Sequence, residues 1–132
     1  MSVDQRTRLM KDIRSIPVEE VLDAVFPEAV AAHADVAGRG ATYRELLPLG
    51  FDVDGVQFTL RADAGRLVVE TGLAHAGVVA RLDADALSNL VQDYQSTTGL
   101  AMTARVDIEK GTLDDWGAGE MVLRAVLDGR KV

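Results

Sequence analysis

Two histidines, His33 and His75, are the side chains of this sequence that change charge near neutral pH, so they would carry any proton transfer or imidazole metal ligation. They lie in different segments, neither has Asp or Glu at the i+4 spacing of a helical metal pair, and no HExxH occurs. The plainer reading is that both are surface or loop residues. Ser88 and Ser96 offer hydroxyl nucleophiles, but no GxSxG elbow surrounds either, and both read as solvent-facing residues in a helix and at its end. Gly38-Arg39-Gly40-Ala41-Thr42 is glycine-rich and leads towards a helix, where backbone N–H groups can hold an anion. It lacks the Lys-Ser/Thr ending of a phosphate loop, and a hinge between helices explains it better. The carboxylate pairs Glu19-Glu20 and Asp114-Asp115 read as acidic first turns of helices, the second with an alternative as the polar rim of a pocket. With no cysteine, thiolate catalysis, disulfides and Cys-based metal sites are excluded. The expectation is a protein that is not an enzyme and holds no metal and no cofactor.

What remains is apolar. Tyr94, Leu100, Met102, Trp116 and Met121 are large, adaptable or amphipathic residues gathered in the C-terminal third. Such a set lines a cavity for a lipid-like ligand, or else fills a core.

These residues need elements to position them, and the stretch Gly77 to Gly99 organises the rest. Val78, Val79, Ala80 and Leu82 read as a strand, and Leu87, Leu90, Val91 and Tyr94 fall at i, i+3, i+4 and i+7, the stripe of an amphipathic helix. Asp83 or Asp85 is placed to cap that helix, and Gly99 to stop it. A strand feeding such a helix must lay it on a sheet. Upstream, Val56, Phe58, Leu60 and Ala62 alternate with polar residues as a strand, Asp63-Ala64-Gly65 turns, and Arg66 to Thr71 returns. Downstream, Met102, Ala104, Val106 and Ile108 alternate as a further strand, Lys110-Gly111 turns, and Met121, Ala125 and Val126 mark a closing helix stopped at Asp128-Gly129.

The segment 1–50 is helical and interrupted. Ser2 and Gln5 have capping-box spacing before Leu9, Met10 and Ile13. Pro17 starts a second helix through Val18, Val21, Leu22 and Val25, which Pro27 ends. A short alanine-rich helix follows, Gly38-Arg39-Gly40 breaks it, and Thr42 and Glu45 suggest one more helix start before Leu46.

The chain of 132 residues is sized for a single domain, with 1–50 as a helical leading segment and 51–132 as sheet and covering helices. A formal charge of −7, with 14 basic residues scattered among 21 acidic ones, argues against nucleic acid as a partner. No apolar run approaches the ~20 residues of a membrane span, and the charged N-terminus lacks a signal-peptide core, so a cytoplasmic protein without membrane insertion is expected.

The strand–Asp–helix run VVARLDADALSNLV, followed by RVDIEKGTL and then EMVLRAVL, resembles the sterol carrier protein 2 family from Phe51 to Leu127. The resemblance implies a twisted sheet covered by helices, with a hydrophobic tunnel between them. It also implies a role in carrying lipids or as an accessory domain of a larger enzyme. It brings no catalytic residues. Ligand-lining positions transfer as the apolar faces of Val91–Tyr94, Met102–Val106 and Met121–Leu127. Two features depart from the family's pattern: the elaborate segment 1–50, and STTGLAMTA in place of a compact glycine-containing link.

Taken together, the expected fold is α+β, a mostly antiparallel twisted sheet of at least four strands covered by helices on one face. The expected function is a binding or carrier domain for an apolar, lipid-like or sterol-like small molecule. Its expected site is Val91, Tyr94, Leu100, Met102, Ala104, Val106, Trp116, Met121 and Leu127. The alternative is an accessory or interaction domain with a filled core, meeting a protein partner or a second copy through residues 1–50.

Overall fold

Two tight turns organise the sheet. In the computed structural model, which describes residues 14–130, strands β1 (Leu49–Val53) and β2 (Val56–Asp63) are joined through Asp54 and Gly55, both at positive φ (51° and 88°). The β2–β3 turn, Ala64-Gly65, has the same character (52° and 79°) before β3 (Arg66–Thr71). Positive φ at both central residues matches the right-handed twist of hairpin strands. β4 (Val78–Leu82) then pairs parallel to β1, and β5 (Asp107–Lys110) pairs antiparallel to β4, giving the order β3-β2-β1-β4-β5. The fold is α+β with a mostly antiparallel sheet, as expected. β1 itself was not anticipated, although its Asp54-Gly55 turn is a strong short-range hairpin signal.

Cross-strand partners set the two faces. Leu49 lies opposite Leu60 and Phe51 opposite Phe58, while Val53, Val78, Ala80 and Leu82 continue the same buried side. The other side carries Asp52, Arg61, Glu70, Arg81 and Asp107, with ion pairs Arg61–Glu70 (2.7 Å) and Arg81–Glu109 (3.2 Å) running across it. Helices cover the apolar side.

The helical half departs from expectation. Breaks were expected at Pro27 and at Gly38–Gly40; instead α1 (Val18–Glu20), a π-helical stretch (Val21–Val25) and α2 (Phe26–Tyr43) run on through both, and the kink falls between them at His33 (φ −134°, ψ 15°). Pro27 has no N–H for the carbonyl one turn back, and its ring crowds that carbonyl; the wider π turn immediately before it relieves both. Gly38 is not a hinge but a close approach: a Cβ there would sit 2.5 Å from the Arg66 Cα and the Gly65 carbonyl oxygen in the β2–β3 turn. The expected helix start at Thr42 is absent, since α2 ends at Tyr43 and Glu45 turns at φ 54°. The expected helix through Leu9, Met10 and Ile13 lies outside the described residues.

Around the organising stretch, Asp83 caps α3 (Ala84–Val91), accepting from the Ala86 N–H at 2.8 Å. Tyr94 falls beyond the end of this helix. Gly99 does not stop it, lying inside the next helix, α4 (Thr97–Met102), where Ser96 accepts the Gly99 N–H at 2.9 Å. The strand expected through Met102, Ala104, Val106 and Ile108 is therefore reduced to β5. The Ser96 cap claims the residues up to Met102 for a helix, and Ala104 at φ 58° breaks the extended backbone. Helix α5 (Leu113–Asp128) starts with a reciprocal capping box between Thr112 and Asp115 and stops at Gly129 (φ 73°), as the acidic pair and the Asp-Gly stop foretold.

Polar residues stitch the helices together. Ser88, expected to face solvent, is buried; it accepts the Ile16 N–H at 2.9 Å and donates to the Arg14 carbonyl at 3.1 Å. His33 is half-buried within α2, its Nδ1 donating to the Val126 carbonyl of α5 at 2.9 Å. Buried Arg124 donates to the Leu90 carbonyl at 2.6 Å and faces Asp93, Glu120 and Asp128 at 3.3–3.5 Å, tying α5 to the end of α3. Among the described residues no helix is long and apolar enough to cross a membrane.

Candidate functional site

A groove of about 520 Å³ lies between the start of the long helical run and the outer hairpin. Leu22 and Asp23 reach it from the π-helical stretch and Pro27 and Val30 from α2, while Val56 and Phe58 of β2 and Val69 of β3 form its opposite wall. Its origin is local. The π turn swings Leu22 and Asp23 off the regular helical register, and π turns recur at functional sites. Leu22, Val30, Val56 and Val69 are only half-buried, so the groove shows water an apolar wall that the core has not covered.

The floor is Phe58, a buried ring. Phe58 stacks on Phe51 (4.9 Å, 15°) and meets Phe26 (5.8 Å), and Phe51 meets the edge of Trp116 (5.9 Å, 72°). This relay of rings crosses the core and ends at a second, smaller groove of about 380 Å³. Thr98, Ala101 and Met102 of α4 and Leu113, Asp114, Trp116 and Gly117 of α5 line it. The Trp116 indole is fully buried and donates to the Thr97 carbonyl at 2.8 Å.

The nine residues expected to form a site are dispersed. Met102 and Trp116 meet in the second groove, Met102 almost wholly exposed (82%). Leu100 and Val91 are buried in the core, Val106 lies at its border and Leu127 packs against it. Tyr94, Ala104 and Met121 are on the surface. None of the nine lines the larger groove. Its own residues were visible individually, Leu22 on a helical stripe and Val56 and Phe58 on a strand face. That these two apolar faces would stand apart rather than close together had no local signal.

Among the described residues no group of His, Asp and Glu is placed to hold a metal ion. His75 meets Glu70 at 2.6 Å on the open sheet face, and Arg61 grips the same carboxylate. The hydrogen bond from His75, and then that from Arg61, hold the Glu70 carboxyl below the usual carboxylate range. The trio fastens the loop after β3 and lines neither groove.

A mixed five-stranded sheet covered on one side by helices, with an apolar groove between sheet and helix, defines a sterol carrier protein 2-like fold. Solved structures agree. Sterol carrier protein 2 from Yarrowia lipolytica superposes with a TM-score of 0.66 at 16% identity, covering 84% of this chain and 93% of that one. A ubiquinone synthesis protein, UbiJ-SCP2, gives 0.58 at 17% identity over 83% and 99%. The stereoselective inverting sec-alkylsulfatase Pisa1 from a Pseudomonas species gives 0.50 at 14% identity, matching 67% of this chain but 14% of the enzyme. No family model and no curated protein matches the sequence.

Proposed function

We propose that the protein is a non-catalytic binding or carrier domain for a single-chain apolar ligand, taken up in the groove between Leu22–Val30 and the β2–β3 hairpin. The observation that carries this is the half-buried wall of Leu22, Val30, Val56 and Val69 over a rigid Phe58 floor. A hydrocarbon chain laid there gains about 25 cal/mol for each Å² of apolar surface removed from water, on both partners. The likeness to a protein named sterol carrier protein 2 supports the same reading.

The test is titration of a fluorescent fatty-chain probe into the intact protein, with Val30→Trp filling the larger groove and Met102→Trp filling the smaller. Val30→Trp is expected to weaken binding about tenfold or more, as loss of roughly 1.4 kcal/mol of burial does, with Met102→Trp close to the parent. Equal affinity in folded Val30→Trp overturns the assignment; loss only in Met102→Trp moves the site to the groove that Met102 and Trp116 share.

A second reading has its own observation. Met102, Leu113 and Met121 expose apolar side chains around α4 and α5, and a domain of this shape matches a part of a larger sulfatase. An accessory domain docking on another protein would use such a surface, or residues 1–50. A mass that rises with concentration, together with no probe binding, favours it.

A further inference from the structure

Among the described residues the larger groove holds one charged side chain, and it is negative. Asp23 stands at the π turn among Leu22, Pro27, Val30, Val56, Phe58 and Val69, and the other polar lining side chains, Gln57 and Thr71, are neutral. Among the described residues no Lys or Arg lines the groove and none pairs with Asp23. The next carboxylate along, Glu28, adds to the same sign, and the whole chain carries −7. Nearby Glu20 is neutralised by Arg14, leaving Asp23 the fixed charge at the rim.

From this we infer that the groove selects amphiphiles by the charge of their head, taking a long-chain cation such as an alkylammonium and discriminating against fatty-acid anions. The inference rests on the groove being the binding site, as proposed above. With its alkyl chain against Val30, Val56 and Val69, a ligand's head lies within reach of the Asp23 carboxylate. An ammonium there gains a charge-assisted hydrogen bond, whereas a carboxylate meets like charge with no lining Lys or Arg among the described residues to offset it. Asp23 is exposed, so the contribution is that of a surface ion pair and is weakened by salt. The alkyl chain supplies affinity and the head sets preference.

The experiment is calorimetric titration of the full chain at neutral pH with dodecylammonium, dodecanol and dodecanoate, each below its micelle concentration. Asp23→Asn and, as a charge-matched control at the other groove, Asp114→Asn are measured beside the parent. The expected order is ammonium tightest and dodecanoate weakest, with ammonium at least about threefold tighter than the alcohol. Asp23→Asn is expected to erase that difference, and Asp114→Asn to preserve it. A dodecanoate affinity equal to that of the ammonium overturns the headgroup assignment while leaving the groove in place. So does a preference that survives Asp23→Asn or shifts equally in Asp114→Asn. Failure of all three chains to bind overturns the groove reading and this inference with it.

Discussion

The two grooves lie at opposite ends of one relay of aromatic rings and are built in different ways. The larger is a gap between a helix and a sheet, with half-buried walls and a buried ring for a floor. The smaller is shaped by side chains standing in water, with Met102 and Leu113 exposed at 82% and 62% over the one buried indole. Backbone elements fix the walls of the first, whereas a rotamer change in two side chains remakes the second. A lasting site for a small apolar ligand needs the former; a surface that moulds itself to a partner is better served by the latter.

The strongest way to break this contrast is to remove the ring that separates the grooves. Phe51→Ala is expected to cost about 3–5 kcal/mol in chemical denaturation, as deletion of a fully buried aromatic does. It also links the grooves. Trp116, the chain's single tryptophan, should leave its emission unchanged when the larger groove of the parent fills, and shift it when that of the variant does. Phe51→Leu preserves the fold at lower cost for the same readout. Next in size, Gly38→Ala drives a methyl into the β2–β3 turn and is expected to cost about 1–3 kcal/mol, lifting the helix that roofs the larger groove and weakening ligand binding there. Smallest is Glu70→Gln, on the face away from both grooves. The folded Glu70 titrates below its ordinary value of 4.5, so its stabilisation is complete above that value and is lost as pH falls through the lower, folded one. The variant should show a flatter acid limb in an unfolding-midpoint profile, with neutral-pH ligand affinity untouched.

Much of this architecture was legible in local pattern. The β2–β3 hairpin, the β4–α3 unit with its Asp83 cap, and the acidic start and glycine stop of α5 each declare themselves within a few residues. What escaped depended on distant neighbours. Met102 to Ile108 alternates like a strand, yet the Ser96 cap claims its beginning for a helix. Gly38 looks like a hinge until the turn it touches, nearly thirty positions on, is known. For the site, the C-terminal residues were the conspicuous ones because methionine and tryptophan draw the eye; Leu100 is buried in the core, and Trp116 is buried beneath the smaller groove. The larger groove is lined by valines and a leucine whose types say only that they prefer burial. Incomplete closure between two elements is a property of their separation, and no residue type encodes it.

The sheet's margins have a consequence for keeping the protein dispersed. One margin, β5, is four residues long, with Asp107, Glu109 and Lys110 among them, and its pairing with β4 is irregular at Val79/Ala80. A short, charged, kinked border offers a poor template for an incoming chain. The other margin, β3, is longer and carries Leu67, Val68 and Val69 in succession. Against it packs α2, with Gly38 seated close to the hairpin turn and the exposed Asp35–Arg66 ion pair at 2.7 Å beside it. Conditions that loosen that helix would uncover a ready surface for strand addition, so the same contact that shapes the groove also guards the chain against self-association.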